Sequence, residues 1–144
     1  MRAAVPGLLA CVLLGACGDQ RPCTACPALT GPYLISWQRG VPADGCPARG
    51  PVPVNLTLSQ QGNRLSTLVD GLELRGTLFD TYDFSLNGGL DDLGYTLRGR
   101  AVVDGPLALP DGGAPQPARV RLVGSLNSRK GACDLSEPFT ADRL

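Results

Sequence analysis

Residues 95–103, YTLRGRAVV, decide the fold of this chain. Apolar or small residues occupy every second position of the stretch, and mostly polar residues stand between them. A period of two is typical of a β-strand that buries one face and exposes the other, because successive side chains point to opposite faces. The stretch therefore predicts a strand with one buried and one solvated face.

The same alternation recurs in seven further segments, which are separated by turn residues at short spacing. Gly62 and Gly71 mark two of these turns, because each lies between two alternating runs. The predicted strands, in chain order, are residues 33–37, 52–59, 65–70, 72–78, 82–86, 95–103, 120–126 and 134–141. Residues 87–89, Asn-Gly-Gly, are predicted to end the fifth strand, and the Pro- and Gly-rich residues 105–116 are predicted to form a loop.

In three of these strands a glycine follows two large residues on the buried face, at Gly76, Gly99 and Gly124. Glycine in this position relieves crowding where another backbone comes close, and closed, curved sheets need such points. About eight antiparallel strands joined in sequence therefore predict an all-β up-and-down barrel. A β-sandwich in which these glycines are simple bulges is the alternative.

The start of the chain has the pattern of a secretion signal. Arg2 provides positive charge, residues 5–14 are apolar, and two small residues, Gly15 and Ala16, follow. The apolar run has about half of the roughly 20 residues that a membrane-spanning helix needs. We therefore expect residues 1–16 to form a signal helix that is removed from the mature chain.

The motif Leu14-Gly15-Ala16-Cys17 resembles the lipobox of bacterial lipoproteins. This resemblance implies cleavage before Cys17, diacylation of its thiol and acylation of the new amino terminus. The implied partner is a membrane, reached through the lipid anchor, and the implied location is the cell envelope. Gly18 stands where Asp would retain a lipoprotein in the inner membrane, which favours the outer membrane. An ordinary secretory signal that is cut after Ala16 is the alternative.

Composition excludes several classes of function. Residues 17–30 are predicted to be a tether and residues 31–144 a single barrel domain, whose basic and acidic residues nearly balance, so charge does not favour nucleic acid. The chain has no histidine, which removes the commonest general base and transition-metal ligand. It also has no Ser-His-Asp set, phosphate loop or dinucleotide fingerprint. We therefore expect a non-enzymatic protein without a cofactor.

Four cysteines besides Cys17 remain after the leader, at Cys23, Cys26, Cys46 and Cys133. An even set in an oxidising compartment predicts two disulfides. In a closed barrel the last strand lies beside the first, so Cys46, after the first strand, and Cys133, before the last, fall at the same end. This topology predicts a Cys46–Cys133 bond, and it leaves Cys23 to pair with Cys26.

The Cys23-Thr24-Ala25-Cys26 motif has three interpretations. It is a small structural disulfide, a redox pair whose spacing can depress a thiol pKa, or part of a four-cysteine metal site. No helix pattern starts at the motif, and oxidising conditions disfavour metal binding by thiolates. The sequence therefore favours the structural disulfide and predicts no metal.

The alternation also predicts which side chains face the barrel interior. An eight-stranded barrel is either filled by its side chains or holds one small ligand. Three functions stay open: a filled barrel that is a structural module or binds an envelope protein, a carrier of a small apolar ligand, and an envelope redox or metal sensor that uses Cys23 and Cys26. The candidate ligand-binding residues of the carrier are Leu56, Leu58, Leu74, Leu78, Phe84, Tyr95, Leu97 and Leu122.

Two resemblances extend beyond the leader. Gly31-Pro32-Tyr33, followed by Trp37, loosely resembles the Gly-x-Trp opening of calycins, although Trp37 lies six residues after the glycine rather than two. The chain is also similar to small β-barrel lipoproteins of myxobacteria-like genomes, which share the first-strand aromatic and a terminal Phe-Thr-Ala-x-Arg, here residues 139–143. These resemblances imply a lipocalin-like barrel and no known activity.

Overall fold

The computed structural model describes residues 20–48, 53–105 and 119–144. The predicted signal helix, Cys17 and most of the predicted loop at 105–116 lie outside the described residues. Within the described part of the chain, no helix is long and apolar enough to cross a membrane. The strands are β1 (Gly31–Trp37), β2 (Asn55–Gln61), β3 (Arg64–Val69), β4 (Leu72–Leu78), β5 (Asp83–Leu90), β6 (Leu93–Asp104), β7 (Arg119–Lys130) and β8 (Cys133–Arg143).

The eight strands form a closed barrel. Each strand pairs antiparallel with the next one in sequence, and β8 pairs with β1 from Tyr33 opposite Arg143 to Trp37 opposite Phe139. The longest pairing joins β6 and β7 along all 12 residues of each strand. The prediction of an all-β up-and-down barrel is confirmed, and the sandwich alternative is wrong.

The barrel has two ends, which we call upper and lower. The upper end carries residues 38–48 and 53–54 of the connection from β1 to β2, and the turns after β3, β5 and β7. The lower end carries residues 20–30, the turns after β2 and β4, and the last residue, Leu144.

Strand β5 is longer than its alternation predicts. Residues 87–89 lie inside the strand, and the chain turns at Asp91 and Asp92 instead. A Cβ atom at Gly88 would collide with the backbone oxygen of Glu73. These glycines therefore allow two strands to come close, and the prediction that they end the strand was wrong.

The three motif glycines lie where backbones approach each other closely. Gly99 and Gly124 face each other across β6 and β7. A Cβ at Gly99 would lie 2.6 Å from the carbonyl oxygen of Val123 and 2.8 Å from the ring of Phe84. A Cβ at Gly76 would collide with the backbone of β5 in the same way. This confirms the predicted reason for glycine at these positions.

The inward-facing apolar residues of all eight strands form one cluster. The outer faces carry ion pairs that follow the strand register. Arg100 lies opposite Asp83, and 2.7 Å separates Arg100 Nε from Asp83 Oδ1. The hydrogen bonding from Arg100 holds the pKa of Asp83 below its usual range. Arg121 and Asp142 pair in the same way between β7 and β8. Exposed pairs of this kind contribute little to stability, so the interior decides it.

We expect Gly99→Ala to destabilise the barrel by about 1–3 kcal/mol, because its methyl group would overpack fixed backbone and the Phe84 ring. Gly94→Ala is the matched control in the same strand, since a Cβ there meets nothing within 4 Å. Urea denaturation of the oxidised protein measures both. Equal midpoints for the two variants would contradict the close-approach interpretation.

Candidate functional site

The eight residues predicted to bind a ligand inside the barrel are all buried. They are Leu56, Leu58, Leu74, Leu78, Phe84, Tyr95, Leu97 and Leu122, and each is between 0% and 6% exposed. They belong to one packed cluster. A side chain that lined a ligand-sized cavity would keep surface that a water molecule can touch, so the space between these residues is filled by the side chains themselves.

Tyr95 and Glu137 are inward-facing residues that bring polar atoms into the upper half of the barrel. The hydroxyl of Tyr95 donates to Asp70 Oδ2 at 2.7 Å. Glu137 in β8 is only 5% exposed and lies opposite Leu126. Sequence reasoning placed Tyr95 among the apolar residues and missed Glu137, although Glu137 shares its face of the strand with buried Phe139.

A pocket of about 330 Å³ lies at the upper end, between the β1–β2 loop and the rims of β6, β7 and β8. We call it the upper mouth. Its lining residues are Pro42, Cys46, Pro47, Ala48, Leu93, Tyr95, Ser128, Lys130, Cys133, Asp134 and Leu135. Mostly apolar walls with a few polar groups are typical of small-molecule sites, and this volume is at the small end of their range.

A disulfide holds the loop over the upper mouth. Cys46 in the loop is bonded to Cys133 at the start of β8, with 5.6 Å between their Cα atoms and a sequence separation of 87. The backbone N–H of Gln38 also donates to the carbonyl of Pro138 at 2.8 Å. The predicted pairing and its placement at one barrel end are confirmed.

Cys23 and Cys26 form the second predicted disulfide, at the lower end. Cys23 is only 5% exposed, and its backbone N–H donates to the carbonyl of Leu78 at 2.9 Å. Thiol–disulfide exchange requires access of a thiolate to one of the sulfurs. Cys23 is buried, whereas Cys26 is only partly buried and lines an open pocket with Cys23. Among the described residues, His, Cys, Asp and Glu form no group of three or more that could hold a metal ion.

Residues 20–30, expected to be a tether, pack against the lower end over their described length. Pro22 bridges to Phe79, and the carbonyl of Arg21 accepts a 2.9 Å hydrogen bond from the N–H of Asp80. Leu29 is completely buried in the core cluster. The segment therefore covers the lower end of the barrel as part of the domain, and we call it the N-terminal plug.

Side chains of the barrel fix the plug through its backbone. Gln60 accepts from the N–H of Leu29 at 2.6 Å and donates to the carbonyl of Pro27 at 3.0 Å. Arg143 donates to the carbonyls of Ala28 and Thr30, at 3.0 and 2.6 Å. Sequence reasoning missed these contacts, because the plug has no strand or helix period and its partners are distant in sequence.

Tyr33 connects the plug to the core. Its buried hydroxyl donates to the carbonyl of Leu29 at 2.8 Å. Burial raises the pKa of Tyr33 above its ordinary value of 10.0, and the nearby charge of Arg143 partly opposes that rise.

No protein-family model, curated protein or solved structure matches this chain. Its function is therefore inferred from its residues and their geometry.

We expect Tyr33→Phe to make the protein less sensitive to alkali. Unfolded chains ionise Tyr33 near pH 10.0, whereas the folded protein keeps the proton to higher pH, so this residue lowers stability as pH rises above that value. Urea denaturation between about pH 9 and pH 11 measures how the free energy of unfolding changes with pH. At neutral pH the same variant loses about 1–2 kcal/mol, because the Leu29 carbonyl loses its donor. If the free energy of unfolding fell equally with pH in the two proteins above pH 10, this role of Tyr33 would be contradicted.

Proposed function

We propose that this protein is a non-enzymatic, membrane-anchored lipoprotein of the bacterial envelope, and that its barrel is a structural or interaction module. The filled interior supports this proposal most directly, since the eight candidate ligand residues are buried in one packed cluster, although Tyr95 also lines the upper mouth. Recognition of a partner then uses the outer faces or the ends of the barrel.

The anchor is proposed from the lipobox at residues 14–17. Acyl chains on Cys17 provide about 0.8 kcal/mol for each buried methylene, and more than one chain gives stable retention on a bilayer. The two disulfides agree with an oxidising compartment outside the cytoplasm. The outer membrane is the proposed location, because Gly18 replaces the inner-membrane retention residue.

One surface available to a partner is a groove of about 750 Å³ across β2, β3 and β4. Its lining is mainly polar and includes Ser59, Gln61, Asn63, Arg64, Ser66, Arg75 and Thr77. Such a surface suits a protein partner that forms hydrogen bonds to these side chains. In a polar, hydrated interface the side chains exchange water for hydrogen bonds to the partner, so the desolvation cost is small.

A carrier of a small apolar ligand is the second candidate, and its site would be the upper mouth instead of the barrel interior. The pocket there has apolar walls and about 330 Å³ of space. The metal sensor has less support, since Cys23 and Cys26 are joined in a disulfide. A redox sensor would depend on attack at Cys26, which is only partly buried.

We expect Cys17→Ser to abolish incorporation of labelled fatty acid and to release the protein from membranes. Cys11→Ser is the matched control, because Cys11 lies in the leader and follows a similar apolar run, Leu8-Leu9-Ala10. Membrane fractionation and fatty-acid labelling in a bacterial host measure both variants. Lipidated, membrane-bound Cys17→Ser protein would overturn the proposed anchor.

Native mass spectrometry distinguishes the two proposed functions, a structural or interaction module and a carrier of a small apolar ligand. The sample is residues 17–144 with Cys17→Ser, which contains every described residue and lacks the lipid. We expect the mass of the polypeptide with two disulfides and no bound small molecule. A co-purified apolar compound that is lost in Leu135→Asp, a variant in the upper mouth, would support the carrier and contradict the module.

A further inference from the structure

We infer that the lower end of the barrel faces the membrane and that the upper mouth points away from it. This inference rests on the proposed lipidation of Cys17. It follows from the small number of residues between Cys17 and the first residue that is hydrogen-bonded to the barrel.

The plug is fixed to β4 and to the turn after it from Arg21 onward. The carbonyl of Arg21 accepts from the N–H of Asp80, and the N–H of Cys23 donates to the carbonyl of Leu78, both at 2.9 Å. The two hydrogen bonds flank Pro22, which bridges to Phe79. Arg21 is therefore a fixed point on the lower end of the barrel.

Arg21 is the fourth residue after Cys17, so only three residues lie between them. Four fully extended residues span at most about 14 Å. With its acyl chains in the bilayer, Cys17 lies at the membrane surface. The lower end is consequently held within about 14 Å of that surface, whatever path the connecting residues take.

The upper end lies much farther from Arg21. Strands β6 and β7 have 12 residues each and run from one end to the other. Strands of this length, tilted by about 40°, extend about 28 Å along a barrel axis. The upper mouth is thus presented to the aqueous compartment.

The outer faces are mixed and do not favour a barrel that lies on its side. They carry ion pairs such as Arg100 with Asp83 and Arg121 with Asp142, whose removal from water costs free energy, alongside exposed apolar residues such as Leu68 and Val123. The lower end has exposed Arg21 and Arg64 beside exposed Asp80. Both signs of charge therefore occur among the described residues of this end, and the short tether sets the orientation.

Chemical anchoring tests the orientation without cellular lipidation. In residues 17–144 the other four cysteines are paired, so Cys17 couples to vesicles of phosphatidylcholine that contain a maleimide-headgroup lipid and a dansyl-headgroup lipid. Trp37, the single tryptophan, is replaced by Phe. Tryptophan is then introduced in the lower turn, Thr81→Trp, or in the upper turn, Asp92→Trp, both at exposed positions.

We expect energy transfer to the dansyl lipid to be several-fold stronger from Thr81→Trp than from Asp92→Trp. Inserting ten Gly and Ser residues between Gly18 and Asp19 lengthens the tether and should reduce this difference, because such linkers are flexible. Equal or reversed transfer in the unextended protein would overturn the inference. Unchanged transfer after the insertion would also overturn it, since the tether would then not set the orientation. Neither result bears on whether cells lipidate Cys17, which the Cys17→Ser experiment tests separately.

Discussion

The pairing of β1 with β8 is the contact on which the rest of the barrel depends. Every other strand pair joins neighbours in sequence, whereas this seam brings Tyr33 opposite Arg143, near the two ends of the described chain. Closing so long a loop costs chain entropy. The Cys46–Cys133 disulfide joins the same part of the fold and lowers that cost by restricting the unfolded chain, by as much as about 4.5 kcal/mol in the entropic account.

Closure also decides what the interior can do. Once the sheet closes on eight strands, inward side chains meet across a narrow interior that they can fill completely. Glycines at 99 and 124 let the backbones come close, while Leu29 and the plug cover the lower end. The barrel therefore offers a partner its outer faces and its upper mouth, and its core gives the domain a rigid shape.

Local pattern predicted the strands, their order and both disulfides, because strand alternation is a property of neighbouring residues and topology then places Cys46 near Cys133. The plug could not be predicted in this way. Its conformation is fixed by hydrogen bonds with Gln60 and Arg143, which are distant from it in sequence. The extension of β5 through residues 87–89 could not be predicted either, because it depends on how closely the neighbouring strand approaches. Of the candidate site, the burial of the interior residues followed from alternation, whereas the upper mouth depends on the loop that the disulfide holds.

Hydrogen exchange of the backbone amides in β1 and β8 tests the closed barrel most directly, because it reports the free energy of opening at each paired residue. A closed, filled barrel predicts that paired amides on the two sides of the seam exchange as slowly as those between β6 and β7, through global unfolding. The contradicting result is exchange of the seam amides through local opening, at a free energy several kcal/mol below that of β6 and β7. The sheet would then not be closed in solution, and its interior would be open to a ligand.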